Sequence, residues 1–89
     1  MTVENKDLDA FRERLDASLE FPCVYLFKFI VPREEQKAMV AVFDGAAVRL
    51  RPSRTGKYVS VSANLPVAHS GEVIEMYRRA AAIPGVHAL

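Results

Sequence analysis

The stretch "RLRPSRTGKYVSVSANL", residues 49–65, constrains the fold more than any other part of this chain. Val48 and Leu50 alternate with Arg49 and Arg51, "SRTGK" is turn chemistry with Gly56 available for a positive φ, and alternation then resumes. Val59, Val61, Ala63 and Leu65 share one parity; Tyr58, Ser60, Ser62 and Asn64 share the other. A period of two on both sides of a short turn predicts a β-hairpin with one buried face.

The segments around the hairpin supply the rest of the order. Leu8, Phe11, Leu15 and Leu19 recur at helical spacing and predict an amphipathic helix over about residues 7–19. Pro22 excludes helix, and "CVYLFKFIV" is rich in aromatic and branched side chains, as strands are. It is apolar on both parities except at Lys28, so it reads as a central strand with both faces at least partly covered. Pro32 suits a first helical turn, "REEQKAMVAVFDG" follows with acids near its start, and Gly45 supplies the stop. A further helix starts near His69 or Ser70, with Val73, Met76, Tyr77, Ala80 and Ala81 on one stripe; "IPGV" breaks it and "VHAL" is a short last strand.

The expected architecture is therefore α+β: a leading helix, residues 1–19, then a ferredoxin-like β-α-β-β-α-β domain, residues 20–89. Two helices would cover one face of a four-stranded antiparallel sheet whose first and third strands are central. The expected core is Val48, Leu50, Val59, Val61, Leu65, Met39, Phe43, Val73 and Tyr77.

Eighty-nine residues suffice for one modest core and no appended catalytic domain. The longest apolar run is far short of a membrane span, and the charged N-terminus has no apolar segment of the kind a secretory signal needs. One cysteine, Cys23, cannot build an intrachain disulfide framework, which agrees with a cytoplasmic location. Net charge is +1, yet its distribution is uneven. Residues 1–35 hold eight acids and five bases, whereas residues 45–71 hold Arg49, Arg51, Arg54 and Lys57 and no acid.

Residues 20–89 resemble the YbeD-like bacterial family, a small domain of unknown function. The resemblance is carried by Glu20, Phe21 and Pro22, by Pro52, Ser53, Gly56, Tyr58, Ser60, Val61 and Ser62 in the hairpin, and by Met76 and Tyr77. The longer leading helix departs from the family pattern. The resemblance implies a ferredoxin-like fold similar to the regulatory ACT domains, which bind small effectors, usually at dimer interfaces. An association with lipoate metabolism is suggested for some members. It supplies no catalytic residues to carry over.

Three functional readings arise from the residues. The first gathers Arg49, Arg51, Arg54, Lys57 and Tyr58 into a surface for phosphates and a base. An RNA-recognition sheet needs two or three stacking aromatics on its open face, and Ser60, Ser62 and Asn64 stack nothing. The first strand could expose either Val24, Leu26, Lys28 and Ile30 or Tyr25, Phe27 and Phe29, and the second choice alone makes a platform. Arginines on an outer strand also have a structural use, since they guard against edge-to-edge pairing. The second reading, an acylphosphatase-like phosphohydrolase using Arg33 and Asn64, fails on "IVPREEQ", which lacks Gly and puts Pro32 where an N–H must hold phosphate. The third and preferred reading concerns the open face of the sheet, which the leading helix or a second subunit could cover.

No cofactor is expected. His69 and His87 lack Cys, Asp or Glu at metal-ligand spacing, and His69 with Glu72 reads as a poor capping box. Cys23 reads as a small buried hydrophobe rather than a nucleophile. The chain is thus expected to be a non-catalytic binding or regulatory domain acting through a small-molecule effector or a protein partner, with a homodimer as one form. The alternative is a nucleic-acid-binding module using the basic hairpin, residues 49–58.

Overall fold

A computed structural model describes residues 5–88. The elements are α1 (Asn5–Ser18), β1 (Cys23–Pro32), a 3-10 turn (Arg33–Glu35), α2 (Gln36–Val42), β2 (Arg49–Pro52), β3 (Tyr58–Val67), α3 (Ser70–Ala80) and β4 (His87–Ala88). All neighbouring strands are antiparallel, in the order β2-β3-β1-β4. This is the ferredoxin-like α+β arrangement with a leading helix, and β1 and β3 are central. Leu89 of the expected last strand lies outside the described residues. No helix among the described residues is long and apolar enough to cross a membrane.

The ten-residue pairing of β1 with β3 runs from Cys23 opposite Val67 to Pro32 opposite Tyr58. Its parity follows from one charge. An ammonium left unpaired in a core costs several kcal/mol, so Lys28 must face outward. Tyr25, Phe27, Phe29 and Val31 then turn toward the helices; Phe27, Phe29 and Val31 are buried. Antiparallel register carries the same division into β3, where Val59, Val61, Ala63 and Val67 are buried and Tyr58, Asn64 and Pro66 are exposed.

Aromatic rings join the layers. Tyr77 of α3 lies 5.0 Å from the Phe11 ring of α1, 5.3 Å from Phe29 and 6.2 Å from Phe27. Phe43, just past α2, meets Phe27 at 6.4 Å and Phe29 at 6.3 Å. Such edge and tilted contacts add about 1 kcal/mol each beyond the area they bury.

Three expectations need correction, and one of two open alternatives drops out. Of the leading helix and a second subunit as covers for the open face, the helix is not one: Leu8 and Leu15 are buried in the common core and Phe11 packs on α3, so α1 belongs to the helix layer. Leu19 falls after the last turn of α1 and is 37% exposed. Leu50 is also not core; it points to the helix side opposite Val61 but is 44% exposed, because β2 is a four-residue edge strand beyond the helices that cover β1 and β3. Pro32 ends β1 instead of starting a helix, and a 3-10 turn precedes a seven-residue α2. Of the other expected core residues, Val59, Val61, Met39, Phe43 and Val73 are buried, while Val48, Leu65 and Tyr77 are half-buried against them.

Two glycines hold turns by different means. Gly56 has φ +76° and open space where a Cβ would stand, whereas Gly85 has φ +74° and a Cβ there would meet Pro32 Cγ at 2.7 Å. Gly56→Ala should therefore cost about 1 kcal/mol for the left-handed conformation. Gly85→Ala should cost at least about 1 kcal/mol more by chemical denaturation, because the end of β1 must also shift. Equal losses in the two variants would contradict the contact.

Burial, followed by the hydrogen bond and the charge of Tyr25, pushes the Tyr77 phenol well above its ordinary value of 10.0. Below that pH both folded and unfolded chains keep the proton and the group adds no pH dependence. Above it the unfolded chain releases a proton that the folded chain retains, so stability falls as pH rises. From about pH 9 to about pH 11 the thermal midpoint should decline more steeply in the native chain than in Tyr77→Phe. Parallel declines would show that Tyr77 does not make this contribution.

Candidate functional site

The open face of the sheet is built from the outward parities of its strands. Val24, Leu26, Lys28 and Ile30 come from β1, and Tyr58, Ser60, Ser62, Asn64 and Pro66 from β3, each paired in register with a β1 residue of the same face or with Pro32. Arg49 stands opposite Ser62 and Arg51 opposite Ser60, so both arginines share this face. His87 joins it through its pairing with Ile30. The described residues of this face include no Asp or Glu.

Rows across the strands set the charge geometry. Lys28, Ser62 and Arg49 form one row, and His87, Ile30, Ser60 and Arg51 the next. Lys28 and Arg49 are separated by two strand spacings, about 10 Å between Cα atoms. In water two like charges at that distance repel by about 0.4 kcal/mol, so the fold tolerates the cluster without a counterion. The separation slightly exceeds the Debye length of about 8 Å at physiological salt, which screens the two cations from each other further, while an anion placed between them lies within that length of both.

The face is divided along its length. At one end Val24 is 67% exposed and Leu26 is 55% exposed, with exposed Pro66 opposite Val24. At the other end a groove of about 460 Å³ is lined by Lys28, Ile30, Arg51, Pro52, Ser53, Arg54, Tyr58 and Ser60. A smaller hollow of about 230 Å³ lies between, bordered by Leu26, Arg49, Ser62 and Asn64 among others.

Hydrogen bonds fix the turn that closes the groove. Ser53 N–H donates to the Tyr58 carbonyl at 2.8 Å, Gly56 N–H donates to the Ser53 carbonyl at 3.0 Å, and Tyr58 N–H donates to Ser53 Oγ at 3.1 Å. Ser60 Oγ donates to the Arg51 carbonyl at 3.4 Å. Arg33 N–H donates to the Lys57 carbonyl at 3.0 Å, which ties the turn to the end of β1.

Of the five residues expected to form a binding surface, the structure brings Arg51, Arg54 and Tyr58 into one groove. Arg49 is on the same face but borders the smaller hollow. Lys57 has the parity of Val59 and stands at the turn, outside both. Lys28 and Ile30 were not expected at the site. The signal for Lys28 was available, since a lone charge in an apolar strand must face solvent and be joined there by what its neighbours present.

The aromatic platform is not formed. Tyr25, Phe27 and Phe29 face the helices, leaving Tyr58 as the aromatic among the described residues of the open face. Arg33 and Asn64 also do not meet: Pro32 pairs with Tyr58, and Asn64 lies six residues further along β3, about 20 Å away. The His69–Glu72 capping box is not formed: the N-cap His69 has no side-chain cap hydrogen bond, and Glu72 Oε1 accepts from Ala68 N–H, ahead of α3, at 3.1 Å. Exposed His69 stands 4.0 Å from the same carboxylate. Cys23 is half-buried and unbridged. Among the described residues no group of three or more His, Cys, Asp or Glu could hold a metal ion.

No curated protein and no solved structure matches the chain. A family model does match, described as "Protein of unknown function (DUF493)", over residues 16–89. The matched span takes in the last turn of α1, the whole sheet as described and its other two helices. The chain belongs to this family of proteins of unknown function, in agreement with the YbeD-like resemblance carried by residues 20–89.

Proposed function

We propose that this is a cytoplasmic, non-catalytic binding domain that docks a protein partner on its open sheet face. The observation that carries the reading is the exposure of Val24 and Leu26 on a central strand, with α1 packed on the opposite layer. Val24 and Leu26 lie at the end of the sheet where, among the described residues, β1 pairs with β3 alone, and a cluster of exposed apolar side chains marks an interaction surface. The surface is shallow, as protein interfaces are, and the cations beside it favour a partner with acidic groups around an apolar centre. The groups gathered there are guanidinium, ammonium and hydroxyl, with the His87 imidazole on the edge strand. The guanidinium, ammonium and hydroxyl groups suit recognition of oxyanions.

Nucleic acid is the second reading, favoured by Tyr58, Arg51 and Arg54 sharing one groove. The inward turn of the β1 aromatics weighs against it, because a single ring gives one base a platform where two or three are needed.

A photo-crosslinking residue at Leu26, compared in cells with the same residue at Glu75 on the exposed side of α3, tests the docking. Leu26 should give a discrete adduct with another protein that Glu75 does not give, and Lys28→Glu should reduce it several-fold. An adduct of twice the chain mass would make a second copy the occupant. Identical adducts at both positions, or none at Leu26, would remove the open face from the function.

A further inference from the structure

We propose that the groove between β1, β2 and the 53–58 turn binds a small organic oxyanion, a phosphate or carboxylate carried on a planar or apolar body. This goes beyond the docking reading and is independent of it, since it holds whether or not a protein docks at Val24 and Leu26. Lys28, Arg51 and Arg54 reach the groove from three separate segments of the chain. The ion pairs among the described residues all involve α3 or the residue before it: His69 with Glu72, and Glu75 with Arg78 and Arg79. The three groove cations therefore converge without a carboxylate to share. Two guanidiniums and an ammonium are the groups that hold phosphate or carboxylate oxygens, the arginines in bidentate fashion.

The remaining lining specifies more than charge. Ile30 and Pro52 are apolar, Tyr58 supplies a ring face, and Ser53 and Ser60 carry hydroxyls. The groove is thus a polar, cationic trough with one apolar and aromatic patch, which suits an anion on an apolar body, and about 460 Å³ lies in the range small-ligand sites occupy. The hydrogen bonds of Ser53 hold the turn before any ligand arrives, which lowers the ordering cost of binding. A strand of nucleic acid would need the cationic track to continue, whereas beyond Arg49 the face passes to Leu26 and Val24. The confinement of charge to one end fits a compact anion.

Amide chemical shifts followed during titration with phenyl phosphate test this, with benzoate, inorganic phosphate and a uridine oligomer as comparison ligands. Phenyl phosphate should give saturable shifts at Lys28, Arg51, Arg54 and Tyr58 and none at Val24 or Glu75. It should bind about tenfold more tightly than inorganic phosphate, and Tyr58→Ala should erase that preference. Arg51→Ala with Arg54→Ala should weaken it about tenfold or more while the rest of the spectrum stays folded. Benzoate against phenyl phosphate decides which oxyanion the site prefers. Absence of saturation, or unchanged affinity in the double variant, would overturn the proposal. So would a uridine oligomer that displaces phenyl phosphate from the same residues with a steep salt dependence, which would assign the groove to nucleic acid. The titration needs no partner, so its failure leaves the cross-link at Leu26 standing, and the reverse holds.

Discussion

The charge of Lys28 is the constraint on which the rest of this structure depends. β1 is apolar on both parities, so hydrophobicity alone does not decide which way it faces. One ammonium breaks the tie, because several kcal/mol separate an exposed lysine from an unpaired buried one. With Lys28 outward, Phe27 and Phe29 become the floor of the core, and the register with β3 places Ser60 and Ser62 beside Ile30 and Lys28. A slip of one residue would reverse every side chain of the strand. It would bury the lysine and expose both phenylalanines.

The helix layer answers to the same parity. Phe27 and Phe29 present rings that Tyr77 and Phe43 meet, and Tyr77 passes the contact on to Phe11. The apolar stripe of α1 is thus consumed by α3. A sheet with two faces and three helices could have been covered on both. Here all three lie on one side, and the opposite face keeps its apolar end and its cations uncovered.

The alternation of residues 58–67, the turn at Gly56 and the order of elements were all legible in the sequence, because each is a local property of period or of a permitted φ. The placement of α1 was not, since Leu8, Phe11 and Leu15 say that a stripe exists and not what it packs against. Leu50 misled for a similar reason. Its parity is right, but whether a helix reaches an edge strand depends on the length of β2 and the position of α2, neither of which is written in residues 47–52. At the candidate site the arginines and Tyr58 could be read, while Lys28 and Ile30 come from a strand about thirty residues upstream and join them through register alone.

Register also explains why a groove exists where the cations are. On the open face the central strand β3 carries Ser60 and Ser62, whose short side chains leave a low floor. Long side chains stand on either side: Lys28 and Ile30 on β1, Arg49 and Arg51 on β2. Small residues between two rows of long ones make a trough, and Tyr58 with the 53–58 turn closes one end. Exchange Ser60 for a branched apolar residue and the same charges would sit on a filled surface. The serines that look least informative in "RLRPSRTGKYVSVSANL" are therefore what turns a cationic edge into a concave site.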